Sequence, residues 1–227
     1  MTTASTATAV PFGHNRLLQR LCLALGLWTL YAATHATQMF DFWLESALAI
    51  VFVVVLGCIY RRLALSDVSY VLLFSFLMLH EWGAQHKYAS VPLGNWMQHY
   101  WGDARNPYDR VVHFAYGLAC AYPMQEWFTR SAGVRNGFRY FLPIQFTLAC
   151  SAVYEMLEAF MASILSPQRG EDFVGMQGDL WDAQKDMFVA TMGAVVAMGV
   201  VAGLRWIRQR QKRAVVVEQR RSVYASR

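Results

Sequence analysis

Three pairs of ionisable residues, Asp109/His113, Glu155/Glu158 and Asp182/Asp186, stand at or just inside the ends of long apolar segments. Each pair has i,i+3 or i,i+4 spacing, which puts both members on one face of a helix. Imidazole and carboxylates together make a ligand set for a divalent ion such as Zn²⁺, Mn²⁺ or Fe²⁺. Paired ligands on adjacent helices are how helical bundles assemble such centres. In a poorly solvated setting several carboxylates cannot all stay ionised unless a metal, a substrate ammonium or protons neutralise them. The spacing assigns His113, Glu155, Glu158 and Asp186 to the metal. It leaves Asp109, Asp182 and His80 as catalytic groups beside it or facing substrate.

Each of these residues has a plainer role open to it. Asp109 and Asp182 can be helix N-terminal acids favoured by the macrodipole. His113 can be a hydrogen-bonded packing residue, and Glu155 with Glu158 can pair with Arg105, Arg110 or Lys185. Glu81 is expected among headgroups as a solvated end charge, and Glu126 is expected to meet Arg130, its i+4 neighbour.

The elements that must position these groups are membrane spans. Of the 227 residues 56% are hydrophobic and 15% charged, against roughly 25% charged in soluble domains. Six apolar stretches approach the ~20 residues that cross about 30 Å of hydrocarbon. They are Leu17–Thr34, Phe42–Tyr60, Val68–Trp82, Val111–Phe128, Tyr140–Phe160 and Met187–Trp206. The third is short and needs Ser66 and Asp67 to cap its start. The fold class expected is therefore all-α, a polytopic bundle of six transmembrane helices. Residues 1–16 read as a flexible cytoplasmic N-terminus, 17–206 as the membrane domain and 207–227 as a basic cytoplasmic tail.

Charge placement orients the bundle. With the N-terminus inside, 15 of the 20 Lys and Arg fall on the cytoplasmic side and 12 of the 15 acids on the outer side. An N-in, C-in protein with an even number of spans follows. The net charge of +5 then reflects topology, not nucleic-acid binding, and the tail RWIRQRQKR reads as a solvated stop signal near anionic headgroups. Thr34-His35-Ala36 faintly resembles a signal-peptide cleavage site, but the apolar run before it is long for that purpose. Cys22, Cys58, Cys120 and Cys150 all lie within apolar spans without C-x-x-C spacing, so neither a disulfide nor a cysteine metal site is expected.

In this orientation His80, Asp109, His113, Glu155, Glu158, Asp182 and Asp186 fall within about two helical turns of the outer interface. The only two long links, Gly83–Arg110 and Leu165–Lys185, lie on that side too. Long links usually carry function. Trp96, Tyr100, Trp101, Tyr108 and Trp181 within them suit a headgroup belt. His80-Glu81 begins an H-E-x-x-H, but the next histidine is His86, so the zinc-protease motif is absent. Glu155/Glu158 also lacks the Glu-x-x-His of di-iron bundles.

At Leu65–Glu81 (LSDVSYVLLFSFLMLHE), then YASVPLGNW, YDRVVHFAYGL, YEMLEAF and GDLWDAQKDM, the sequence resembles the YjdF-type family of bacterial inner-membrane proteins. These are classed as a domain of unknown function. The resemblance spans about residues 40–205. It implies a multi-pass protein of the bacterial inner (cytoplasmic) membrane and supplies no reaction. Asp186 with Gly193-Ala194 also resembles the VanZ-like membrane proteins, which typically have Asn four residues after the Asp, where this chain has Ala190.

The leading functional expectation is a metal-dependent enzyme at the outer face, with a lipid-linked or headgroup substrate drawn from the surrounding bilayer. The metal would activate water or polarise a phosphoryl or carbonyl oxygen, with a spare carboxylate as general base. A proton- or cation-coupled transporter would instead string carboxylates across the bilayer. A non-catalytic membrane assembly partner would use the tail or the aromatic link.

Overall fold

The computed structural model describes residues 10–225. Eight α-helices make up this part of the chain, with no strand among the described residues: α1 Arg16–Thr34, α2 Met39–Leu63, α3 Asp67–His86, α4 Pro92–Trp101, α5 Tyr108–Arg130, α6 Phe138–Ile164, α7 Pro167–Val174 and α8 Asp182–Ala225. Single 3₁₀ turns at Phe12–His14 and Tyr88–Ser90 precede α1 and α4.

Local chemistry sets these boundaries. The Asn15 side chain accepts from Leu18 N to open α1, and Ser66 accepts from Ser69 N to open α3, each satisfying an orphan donor of the first turn. Helix α4 starts on Pro92, whose missing N–H costs nothing at the first helical position. It ends on Gly102 in the left-handed conformation. Pro123 and Pro143 lie inside α5 and α6. Each removes one helical hydrogen bond, a loss that neighbouring helices make tolerable in a buried bundle.

Four helices are long and apolar enough to cross a membrane: α1, α2, α6 and the stretch Asp182–Val215 of α8. Helices α3 and α5 span 20 and 23 residues and carry more polar side chains. They occupy the middle of the assembly. Helix α5 packs against α3, α6 and α8, while α1 and α2 lie on α3. Outward-facing Leu23, Leu27, Val51, Val54, Phe160 and Val200 are exposed, and an apolar surface of this kind marks a membrane-facing wall.

The closest helix pair is α5 with α8. A Cβ on Gly117 would overlap the Ala190 carbonyl oxygen, and one on Gly193 would overlap that of Phe114. Small residues at such a crossing let two backbones approach without a bulky side chain between them. Ala121, Ala194, Ala197 and Met198 continue the buried seam. Because α5 and α8 both begin at the same end of the bundle, this seam sets their N-terminal acids side by side.

Several expectations need correction. The two long links are not simple loops, since α4 and α7 form within them. Tyr108, expected in a headgroup belt, is fully buried and donates from its hydroxyl to the Leu79 carbonyl at 2.8 Å. Glu81, expected to be solvated, is buried and accepts from Ser46 Oγ. Helix α8 runs on to Ala225 through the basic segment. The flexible N-terminus expected over residues 1–16 lies largely outside the described residues.

Candidate metal centre

At the end of the bundle where α3 and α6 finish and α5 and α8 begin, the N-terminal turns of α5 and α8 carry the densest charge. His113 Nε2 stands 3.6 Å from Asp109 Oδ1 on its own helix and 3.5 Å from Glu155 Oε1 on α6. Asp109, His113 and Asp186 can each offer one ligand atom, and the three atoms lie within 4.8 Å of one another. Tetrahedral nitrogen and oxygen ligands held about 2.1 Å from a metal are about 3.4 Å apart. The set therefore needs to contract by roughly an ångström to grip an ion, within the reach of side-chain rotation.

Two of these carboxylates are incompletely partnered. Asp186 Oδ1 and Glu155 Oε1 are buried with no hydrogen-bond donor. The Arg110 Nε nearest Asp186 is 3.8 Å away and itself makes no hydrogen bond. A buried charged acceptor left bare costs more than the bond it forgoes, so such atoms call for a ligand or a proton.

Above this group the links between helices form an ion-paired cover. Arg105, which is buried, donates to Asp182 and lies 3.8 Å from Asp179 and 3.9 Å from Asp109. Arg110 donates to Asp179 and, at 3.4 Å, to Asp182. Asp179 also accepts from Lys185 Nζ at 2.6 and 2.8 Å and from Trp181 N at 3.1 Å. These hydrogen bonds, Lys185 foremost, hold its carboxyl down to about 2. Asn106 ties the cover together. Its backbone N donates to Gln177 Oε1 at 2.8 Å, and its side chain donates to Val91 O and Asn95 Oδ1.

A second polar group adjoins the first across α2 and α3. His80 Nδ1 meets the Tyr88 hydroxyl at 2.6 Å and its Nε2 meets the Glu45 carbonyl at 3.2 Å, so both ring nitrogens are engaged. The Glu45 carboxylate accepts from the Tyr154 hydroxyl at 3.3 Å. Glu158 sits on α6 beside Tyr154, Glu155 and Glu45.

The seven residues singled out by spacing thus gather at one end of the bundle in three settings. Asp109, His113 and Asp186 form one close group, with Glu155 beside His113. Asp182 is taken up by Arg105 and Arg110, and His80 and Glu158 belong to the neighbouring group around Tyr88, Tyr154 and Glu45. Glu45, Asp179, Tyr88 and Tyr154 escaped the sequence reasoning as parts of the site, and Arg105, expected as a partner for Glu155 and Glu158, pairs with Asp182 instead. Glu45 left a signal there, an acid four residues after Asp41 in the first two turns of a strongly apolar helix.

Summed over both groups, the carboxylates of Glu45, Asp109, Glu155, Glu158, Asp179, Asp182 and Asp186 have, among the described residues, Arg105, Arg110 and Lys185 as their Lys and Arg ion-pair partners. The surplus is negative and partly desolvated, the condition under which a bound cation is stabilised.

Comparison with known proteins adds the lineage. Residues 15–208 match the family DUF2238, described as a predicted membrane protein. The chain is 36% identical over 183 residues to the inner membrane protein YjdF of Escherichia coli (strain K12), covering 80% of this chain and 87% of that protein. No solved structure matches.

Proposed function

This chain belongs to the DUF2238 membrane protein family, and from that premise we propose that it is a metal-dependent enzyme of the bacterial cytoplasmic membrane. In this reading α3 and α5 cross the bilayer with the four strongly apolar helices, giving six spans with both termini inside. Arg16 and Arg20 at the start of α1, Arg61 and Arg62 in the last turn of α2, Arg130, Arg135 and Arg139 around the α5–α6 link and the basic residues along α8 support that orientation. The acidic end then faces outward. Its substrate is a lipid-linked molecule or a lipid headgroup.

One observation carries the proposal: Asp186 Oδ1 and Glu155 Oε1 are buried without donors, both close to His113. The divalent ion binds between Asp109, His113 and Asp186, with Glu155 as the fourth neighbour. A single imidazole among carboxylates suits Mn²⁺, Fe²⁺ or Zn²⁺. When bound, the ion polarises a phosphoryl or carbonyl oxygen or lowers the pKa of a water. Glu158 stands by as the spare carboxylate for proton transfer, and Arg105 and Arg110 keep the remaining acids of the cover neutralised. A carrier would need further titratable groups towards the opposite end. The nearest there is Glu126, and its partners are already complete.

The test is elemental analysis of the purified full-length protein alongside H113A and E155Q. Wild type is expected to retain close to one equivalent of a divalent transition metal and both variants to lose it. Background metal in wild type after reconstitution with Zn²⁺, Mn²⁺ and Fe²⁺ would overturn the reading.

A further inference from the structure

A cavity of about 470 Å³ lies between α2 and the wall formed by α3, α5 and α6. On α2 it follows Leu48, Phe52, Leu56, Ile59 and Leu63, residues three or four apart that form one stripe of the helix. That stripe covers about 22 Å at 1.5 Å per residue, more than one leaflet of a hydrocarbon layer about 30 Å thick.

Helix α2 is fastened across this gap near its two ends. Tyr154 Oη donates to Glu45 Oε2 at the acidic end, and Ser131 Oγ donates to the Arg62 carbonyl at 3.4 Å near the other. Between these ties lies a slot that apolar side chains border without filling. Space of this size is on the scale of one small ligand, which is one hydrocarbon chain and not two.

The slot is amphipathic along its length. Its walls are apolar until the acidic end, where Asp109 and His113 line it. These two residues also belong to the three-residue ligand group, so the cavity opens onto the candidate metal centre. His80 and Tyr88 line the same end but are spent on each other and on the Glu45 carbonyl. The negative surplus there disfavours an anionic headgroup, even with one divalent cation bound.

We propose that the slot holds one acyl chain of a zwitterionic glycerophospholipid, with its headgroup delivered to Asp109 and His113. This rests on the metal-centre reading for the chemistry done at that headgroup. It adds that the substrate enters sideways from the membrane and is held by its chain.

The test uses the full chain in phosphatidylcholine vesicles doped with a phosphatidylethanolamine probe bearing a photoactivatable diazirine midway along one acyl chain. A phosphatidylglycerol probe with the same chain is run in parallel. Cross-links are mapped by peptide mass spectrometry. The phosphatidylethanolamine probe should label Phe52, Leu56, Tyr116 and Met124 about tenfold above Leu23 and Leu27 on the lipid-facing side of α1. The phosphatidylglycerol probe should label the slot several-fold less. Filling the slot by A49W, or by C150F from the opposite wall, should bring its labelling down to the α1 level while α1 labelling stays unchanged. The second variant decides the matter if the first does not fold.

Slot labelling no higher than α1, or insensitive to either filling variant, would overturn the proposal. Equal labelling by the two probes would overturn the headgroup part. Repeating the experiment on chelator-treated protein separates the two readings. Specific slot labelling in a protein that never binds metal keeps the lipid slot and removes the metal centre. A metal-loaded protein with uniform labelling does the reverse.

Discussion

The two ends of this bundle treat buried acid in opposite ways. At the end where α3 begins and α5 finishes, Glu126 is buried and fully used. It accepts from Ser66 N at 2.8 Å and Ser69 Oγ at 2.7 Å, and pairs with Arg130 at 2.7 Å. Arg130 in turn donates to the Ala64 carbonyl. One carboxylate thus joins the start of α3 to the end of α5, and nothing is left over for a ligand. At the other end, carboxylates outnumber fixed cations and Asp186 and Glu155 each keep an oxygen without a donor. A buried acid with complete partners is an architectural device. A buried acid with incomplete partners, set beside an imidazole, is an invitation to a cation.

The hardest way to break this contrast is to part α5 from α8. G117V drives a branched side chain into the Ala190 carbonyl, a backbone obstacle that no rotamer change relieves. Overpacking of that kind costs about 3 kcal/mol or more. The expected outcome is loss of a monodisperse, folded species in detergent, read by size exclusion and thermal unfolding. G199V, at a glycine with open space around it, should fold as wild type.

Next in size is the metal itself. H113A should weaken divalent-ion affinity at least about 100-fold, more than the 10–100-fold typical of losing a group that only orients a ligand. D186N, which keeps shape but removes charge, should do the same by isothermal titration. H80A removes a histidine whose two nitrogens already have protein partners, and it should leave metal affinity within a few-fold of wild type. If H80A and H113A behave alike, the division of the acidic end into two groups is wrong.

Stability should dissociate from binding. E126A strips three donors of their acceptor and should destabilise by about 2 kcal/mol, since each orphaned buried donor costs about 1–3 kcal/mol and the half-exposed Arg130 recovers some hydration. E155Q relieves like-charge crowding and should be neutral or mildly stabilising in metal-free protein, as removal of an uncompensated buried charge commonly is. Chemical denaturation or a thermal shift with and without chelator reads both.

The same contrast explains how much was legible in the sequence. The all-helical class and the four strongly apolar helices α1, α2, α6 and α8 were readable because apolar run length is a strong signal. Ser66 was readable as a cap because its chemistry is local. The gathering of His80, Asp109, His113, Glu155, Glu158, Asp182 and Asp186 at one end followed from charge placement and helix direction. Their division into separate groups did not, because it depends on Arg105 and Arg110 reaching Asp179 and Asp182 across more than 65 positions. Helices α4 and α7 were hidden for a different reason. Both are short, polar or aromatic, and bordered by Gly and Pro, so neither shows a long apolar period. Glu45 was passed over although Asp41 precedes it by four residues on the same helix, because its side-chain partner Tyr154 lies 109 positions away.

The smallest expected effect tests the cover over the acidic end. The hydrogen bonds from Lys185, then from Trp181 N and Arg110, hold the Asp179 carboxyl at about 2, below its ordinary 3.8. A carboxyl depressed in the folded state contributes stability that is complete above the ordinary value and is lost as pH falls through the depressed one. The ties from Asp179 to Lys185, Arg110 and the start of α8 should therefore hold at pH 5 and loosen between about 4 and 2. Hydrogen exchange at Trp181–Lys185 is expected to speed up across that window, beyond the intrinsic pH dependence of exchange. The Gly117–Gly193 seam, which has no titrating group in it, should stay protected. D179N should exchange at the faster rate already at pH 5 and show no further step. A step that survives in D179N would assign the titration to the carboxylates below the cover, and would make the cover a bystander to the site it closes.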